Sequence, residues 1–236
     1  MLLTASVAPA QEGMAPDVRI ERVRVLADSM QLWMVRGQDT VHVGRMWDSL
    51  TFFADHAGGP AVRRVYRTVN DAFGPEHDIY FYRLPDLGPI SVASDGGDAG
   101  QIEYRGGRVM GWTERAGRRR TVDREIAPGV YDGSVFDLLV RADDLREGYS
   151  VKVRAYLDAL NVVRDLRAEV VGTELIEVAD GRRVETWIVE MDFAGLLTTL
   201  WIDKETRSVA RQIIHMGAVS MLMNRVAPHD PSLRES

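Results

Sequence analysis

Val184-Glu185-Thr186-Trp187-Ile188-Val189-Glu190-Met191-Asp192, Leu196-Leu197-Thr198-Thr199-Leu200-Trp201-Ile202 and Val209-Ala210-Arg211-Gln212-Ile213-Ile214-His215-Met216 follow one another with only short polar interruptions. β-Branched and aromatic residues crowd these runs, and the breaks between them carry Gly, Asp and Lys, which favours strands over helices. Asp180-Gly181 between residues 167–176 and 184–192 suits a two-residue hairpin turn, which needs left-handed backbone. Trp201-Ile202-Asp203-Lys204-Glu205-Thr206-Arg207 reads as a longer polar turn between two strands. A meander of antiparallel strands is the expectation here.

The same period of two extends outward. Residues 19–26, 31–35, 41–47, 61–69 and 78–83 read as strands on the N-terminal side, and Gly106-Gly107 between alternating arms marks another tight hairpin. Residues 152–156 and 219–226 add further strands. One segment breaks the rhythm. In Gly133-Ser134-Val135-Phe136-Asp137-Leu138-Leu139-Val140-Arg141, the apolar Val135, Leu138 and Leu139 stand at i, i+3 and i+4, the spacing of a short amphipathic helix. Asp132 precedes it as an N-cap whose carboxylate can accept from the free N–H groups of the first turn. The fold expected is mainly β: a curved antiparallel sheet forming an open or half barrel, with a short helix near residues 133–141. Residues 18–227 form one β-rich domain, whose two sheet halves meet near 130, and residues 228–236 form a disordered tail.

Composition narrows the function. At 236 residues, 45% hydrophobic and 27% charged, the chain has material for a substantial core. A net charge of −6 argues against broad nucleic-acid binding, which needs a positive field. The absence of cysteine removes disulfides, a thiol nucleophile and thiolate metal sites. Met1-Leu2-Leu3 leads to Ala8-Pro9-Ala10-Gln11, an A-x-A pattern like the cleavage end of a secretory signal, although no basic residues precede it. Residues 1–17 are therefore read as a signal-peptide remnant and disordered N-terminus, and the location as periplasmic or secreted. No segment approaches the ~20 apolar residues of a membrane span.

Residues that carry chemistry are sparse. His42, His56, His77, His215 and His229 are widely spaced, with no ligand or metalloprotease motif, so neither a metal nor another cofactor is expected. Ser134 lies at a helix start without a nucleophile elbow and reads as a first-turn residue. Asp95-Gly96-Gly97-Asp98-Ala99-Gly100 reads as a Gly/Asp loop, since the spacing and bidentate glutamate of an EF-hand are missing. Arg115, Arg118, Arg119 and Arg120 form one basic cluster, read as a solvated hairpin end, with an anionic membrane surface or acidic partner as the other reading. Aromatics dominate the strands. Tyr80, Tyr82, Trp112, Trp187 and Trp201 are candidates to line a hydrophobic ligand site on a curved sheet, although core packing accounts for the same residues. Met216, Met221 and Met223 add soft apolar surface.

Tyr131-Asp132-Gly133-Ser134, Leu138-Leu139-Val140-Arg141, Leu145-Arg146-Glu147-Gly148, Gly172-Thr173-Glu174 and Leu200-Trp201-Ile202-Asp203-Lys204-Glu205-Thr206-Arg207 succeed one another in the second half. In that order they resemble a bacterial family of exported domains of unknown function, best matched in the C-terminal half. Such domains are similar to the open, strongly curved half-barrels of periplasmic lipoprotein carriers, with a helix plugging the concave side. The resemblance implies fold and assigns no catalytic residue; Asp132 and Arg141 are motif positions, and Arg141 is expected to pair with Asp132 or Asp137. The function expected is noncatalytic: an envelope domain that binds a lipid or other hydrophobic ligand. The alternatives are a structural or interaction domain of envelope assembly with an envelope protein as partner, and, less favoured, a hydrolase with carboxylates or a histidine converging in a cleft.

Overall fold

A computed structural model describes residues 16–24, 26–71, 74–96, 98–179 and 181–228. The N-terminal A-x-A pattern, Asp180, His229 and the tail beyond 228 lie outside them. The alternating segments all pair into one sheet. Its strands are β1 (Ala27–Arg36), β2 (Asp39–Phe53), β3 (Ala61–Asn70), β4 (Glu76–Arg83), β5 (Pro89–Gly96), β6 (Asp98–Arg105), β7 (Arg108–Arg115), β8 (Arg118–Glu125), β9 (Tyr131–Asp132), β10 (Ser150–Leu157), β11 (Val162–Glu177), β12 (Arg183–Phe193), β13 (Leu196–Asp203), β14 (Val209–Met216) and β15 (Val219–Pro228). The order across the 15-stranded sheet is β8-β7-β6-β5-β4-β3-β2-β1-β15-β14-β13-β12-β11-β10-β9. Pairing is antiparallel throughout except for the short parallel contact of β9 with β10. The sheet is therefore two meanders joined at β1 and β15, with Met30 opposite Arg225 and Val35 opposite Ser220.

The halves thus meet in the middle of the sheet, whereas residues 126–130 carry the chain from one edge of it to the other. Curvature brings those edges close without pairing them. Arg124 Nη1 on β8 donates to the carbonyl of Asn161 at 2.6 Å, and the Tyr104 and Tyr156 rings meet edge to face at 6.3 Å. The result is an open barrel. Gly106 and Gly107 take the left-handed conformations (φ 58 and 76°) that their hairpin demands. At Gly111, φ is 147° and a Cβ would overlap the carbonyl of Gln101, so only glycine lets β6 and β7 approach here.

One face of the sheet is apolar and wraps helix α1 (Phe136–Ala142), which a single 3-10 turn, Gly133–Val135, precedes. Opposed residues on this inner face include Leu50, Arg64, Tyr80, Val92 and Ile102 in one half and Val189, Leu200, Gln212 and Met223 in the other, with Leu32 facing Met223 across the seam. Phe136, Leu138, Leu139, Val140, Arg141 and Ala142 are all buried, so the helix is covered all round rather than along one stripe.

Connections alternate between the two ends of the barrel. The β1–β2, β3–β4, β7–β8, β10–β11, β12–β13 and β14–β15 turns share one end, termed the open end. The other end is capped. Residues 19–26, expected as a strand, instead contain a 3-10 turn at Ile20–Arg22 that packs on α1. Their backbone donors are used elsewhere: Arg19 N–H bonds the carbonyl of Ala142 and Arg24 N–H that of Thr206, both at 3.0 Å. A segment with those partners cannot also join a ladder.

Candidate functional site

The helix is fixed in the barrel by polar groups at both ends. Asp132 accepts from Ser134 N–H at 2.9 Å and from the Tyr104 hydroxyl at 2.5 Å, which ties the helix start to β6 across the gap between the sheet edges. Burial, reinforced by the charge of Asp158, pushes the Asp132 carboxyl up to about 6. At Gly133 a Cβ would come within 2.7 Å of the Leu157 methyl Cδ2, so any larger residue there would displace that side chain.

Halfway along, Arg64 of β3 is wholly buried and forms two forked contacts. Its Nε and Nη2 donate to Asp48 of β2 at 3.0 and 2.8 Å, its Nη1 and Nη2 to Asp137 of α1 at 2.7 Å each, and Nη1 also reaches the Ser134 carbonyl at 3.2 Å. Its guanidinium carbon lies 4.3 Å from the centre of the Tyr66 ring. Burial opposes the ionised form of Asp137, but Arg64 and then Arg141 hold its carboxyl below the usual range. Arg141 stands 3.6 Å from both Asp48 and Asp137, and its Nε donates to the Arg207 carbonyl at 2.7 Å. Of its two expected partners the structure supplies Asp137; Asp132 turns to Tyr104 and Ser134. A cavity of about 20 Å3 adjoins this cluster and is also lined by Asp28. Burial pushes Asp28 up to about 7, with Arg225 opposing. Arg64 and Asp48 were not singled out in the sequence; only the parity of Val62, Arg64 and Tyr66 on one strand hints that this arginine faces inward.

The five aromatic candidates do not share a surface. Tyr80 and Tyr82 are core residues on the inner face, parallel at 6.0 Å. Trp187 lies opposite Ile202 on the inner face, with Lys204 Nζ 4.5 Å from its ring. Trp112 and Trp201 are on the outer face. Arg119 covers Trp112 at 3.9 Å, and Trp201 donates from Nε1 to Glu174 at 2.7 Å beneath Arg211. Parity decides this: Leu200 and Ile202 are buried inside, so Trp201 between them points out.

Apolar inner surface continues toward the open end past the first turn of α1. Met191, Thr198, Ile214, Met221, Met34 and Val41 lie opposite one another in one row, and Phe193 faces Leu196 in the next. Phe136 of the helix packs edge to face on Phe193 at 5.4 Å. Burial falls along the strip, and Val41, Leu196 and Met216 are exposed.

Two hollows of mixed polar and apolar lining lie elsewhere on the sheet. One of about 210 Å3 opens on the inner face beside the helix start, lined by Asp78, Tyr80, Ser94, Thr113, Ser134 and Asp158 among others. Burial raises Asp78 above the usual carboxylate range. Ser134 here engages Asp132 and Tyr80, whereas among the described histidines His42 meets Trp33, His56 stacks on Phe81, His215 lies near Thr199 and His77 is exposed on β4. The other hollow, about 460 Å3, is a groove across β10–β14, flanked by outer-face residues such as Lys152, Arg167, Glu190 and His215. No cluster of three or more His, Asp or Glu able to hold a metal ion occurs among the described residues, and none of their helices is long and apolar enough to cross a membrane.

The family model described as "Protein of unknown function (DUF3108)" matches residues 84–224. No curated protein matches the chain. Among solved structures, the fold is similar to a β-barrel-like protein of domain of unknown function DUF1849 from Brucella abortus, with 12% identity, 86% of this chain and 97% of that one covered, and a TM-score of 0.54. LprF from Mycobacterium bovis aligns over 90% of this chain and 92% of its own at 14% identity, with a TM-score of 0.24.

Proposed function

The chain belongs to the DUF3108 family of proteins of unknown function, and on that footing we propose that it is a noncatalytic binding domain of the bacterial cell envelope, periplasmic or secreted, that takes an apolar chain. The observation carrying this reading is the apolar strip of the inner face at the open end, past the first turn of α1, where Leu196 and Met216 stand exposed. The ligand of matching chemistry is an acyl chain, from a lipid or a lipidated protein, laid against a surface whose methionines adapt to irregular shapes. The A-x-A pattern at Ala8-Pro9-Ala10 supports an exported location. A noncatalytic role agrees with Ser134 being engaged by Asp132 and Tyr80 rather than by a histidine.

The test is titration with a fluorescent long-chain fatty acid, alongside native mass spectrometry of protein taken from host membrane fractions. Leu196→Asp and Met216→Asp alter exposed positions and leave the core intact, and each is expected to weaken uptake about tenfold or more. An unresponsive wild-type chain, or two variants that bind as well as wild type, overturns the reading. A second reading is favoured by one observation, the burial of every α1 residue but Asp137 inside the barrel: a filled structural or interaction domain. It predicts no co-purifying lipid and no probe uptake at all.

A further inference from the structure

The open end carries a pattern that the inner strip does not account for. Ten large apolar side chains are exposed among the described residues, and six of them, Val41, Val69, Leu160, Leu196, Leu197 and Met216, lie at this end. They belong to five different hairpins: Val41 near the β1–β2 turn, Val69 near β3–β4, Leu160 in β10–β11, Leu196 and Leu197 after β12–β13, and Met216 before β14–β15. Val41 and Leu160 are 59% exposed and Leu197 56%. Val69 and Leu197 sit on the outer face, so no single groove gathers the six; they ring the mouth. A sixth hairpin at the same end, β7–β8, bears the densest positive charge of a chain whose net charge is −6. Arg118, Arg119 and Arg120 are exposed, and the partly buried Trp112 ring lies under Arg119.

We infer that the open end docks on an anionic phospholipid surface, the arginines of the β7–β8 hairpin meeting headgroups and the apolar side chains of the ring entering the interface. Scattered apolar tips without pocket walls fit a soft planar partner better than a folded one, and a basic patch beside them supplies charge complementarity. Each basic residue near such a surface strengthens binding about fivefold. The inference does not need an apolar ligand on the inner strip, and it holds whether or not that strip is ever occupied.

Co-sedimentation with vesicles of phosphatidylcholine alone, or mixed with phosphatidylglycerol, tests it on the full chain. Binding is expected to the mixed vesicles and to fall as salt rises. The triple variant Arg118→Glu, Arg119→Glu, Arg120→Glu should lose it by about two orders of magnitude, given the per-residue gain above. Leu160→Asp with Leu197→Asp should weaken it at low salt. All five positions are exposed, so thermal denaturation should show the variants folded, and their fatty-acid uptake should equal that of wild type, which separates this surface from the inner strip. Equal binding to neutral vesicles, unaltered binding by the triple variant, or binding only to acidic peptide or nucleic acid overturns the inference.

Discussion

Replacing Arg64 by Met puts the buried ion cluster to the test. The side chain is fully buried and pairs with two carboxylates whose own exposure is only 14 and 19%. Truncation leaves Asp48 and Asp137 facing Arg141 alone, 3.6 Å from each, and the Ser134 carbonyl without its donor. Breaking a buried pair by removing one partner costs about 3–5 kcal/mol. For a domain of this size that corresponds to a fall in melting temperature of about 10 °C. The pH dependence separates charge from packing. In the wild-type chain Asp137 titrates below its unfolded value, so its contribution is present above the unfolded pKa and lost as pH falls through the folded one. Without Arg64, burial dominates and the folded pKa rises. The contribution then has the opposite sense, present below the unfolded pKa and lost as pH rises. The gap between wild type and variant is therefore widest near neutrality and narrows as pH falls toward about 4. Urea denaturation across that range measures it, and adding Asp48→Asn and Asp137→Asn to Arg64→Met should recover most of the loss. A loss under about 1 kcal/mol, or a gap that ignores pH, refutes the reasoning.

Asp28→Asn tests a group with the opposite sign. Because burial raises Asp28 to about 7, its contribution is complete below the unfolded pKa and lost as pH rises through about 7, so the variant should gain on wild type between pH ~4 and ~7 in urea denaturation, with no further gain above that. Tyr104→Phe removes the donor that spans the sheet edges to Asp132 and should cost about 1.5–3 kcal/mol, the range for a bond to a charged group, read by thermal denaturation. Gly111→Ala drives a Cβ into the Gln101 carbonyl and should destabilise the β6–β7 pair enough to speed amide exchange in both strands.

Strand and turn chemistry was legible because it is local. Gly106-Gly107, the Asp132 cap and the spacing of Val135, Leu138 and Leu139 each specify their own conformation within a few residues. Facing was less legible. Tyr80 and Trp201 look alike in composition, and only the parity set by neighbours such as Leu200 and Ile202 sends one inside and the other out. The ion cluster was illegible for a different reason. The sequence offers Arg141 only Asp132 or Asp137 as partners, because Arg64 and Asp48 come from strands distant in sequence. Residues 19–26 alternate as a strand should, yet α1 and the β13–β14 turn claim their donors first.

The pairing of β1 with β15 makes the sheet order a cyclic shift of the chain order. From β9 through β15 and on through β1 to β8, every neighbour in the sheet is the next in that cycle. A circular permutant opened in residues 126–130, with a linker joining the ends that flank Asp28 and Pro228, would lay down its strands as one uninterrupted ribbon. The natural chain must instead bring its first and last strands together across everything between them, the most entropically expensive closure in the molecule. Each meander can zip up from its own hairpins, so the seam at β1 and β15 is the join on which cooperativity between the halves depends.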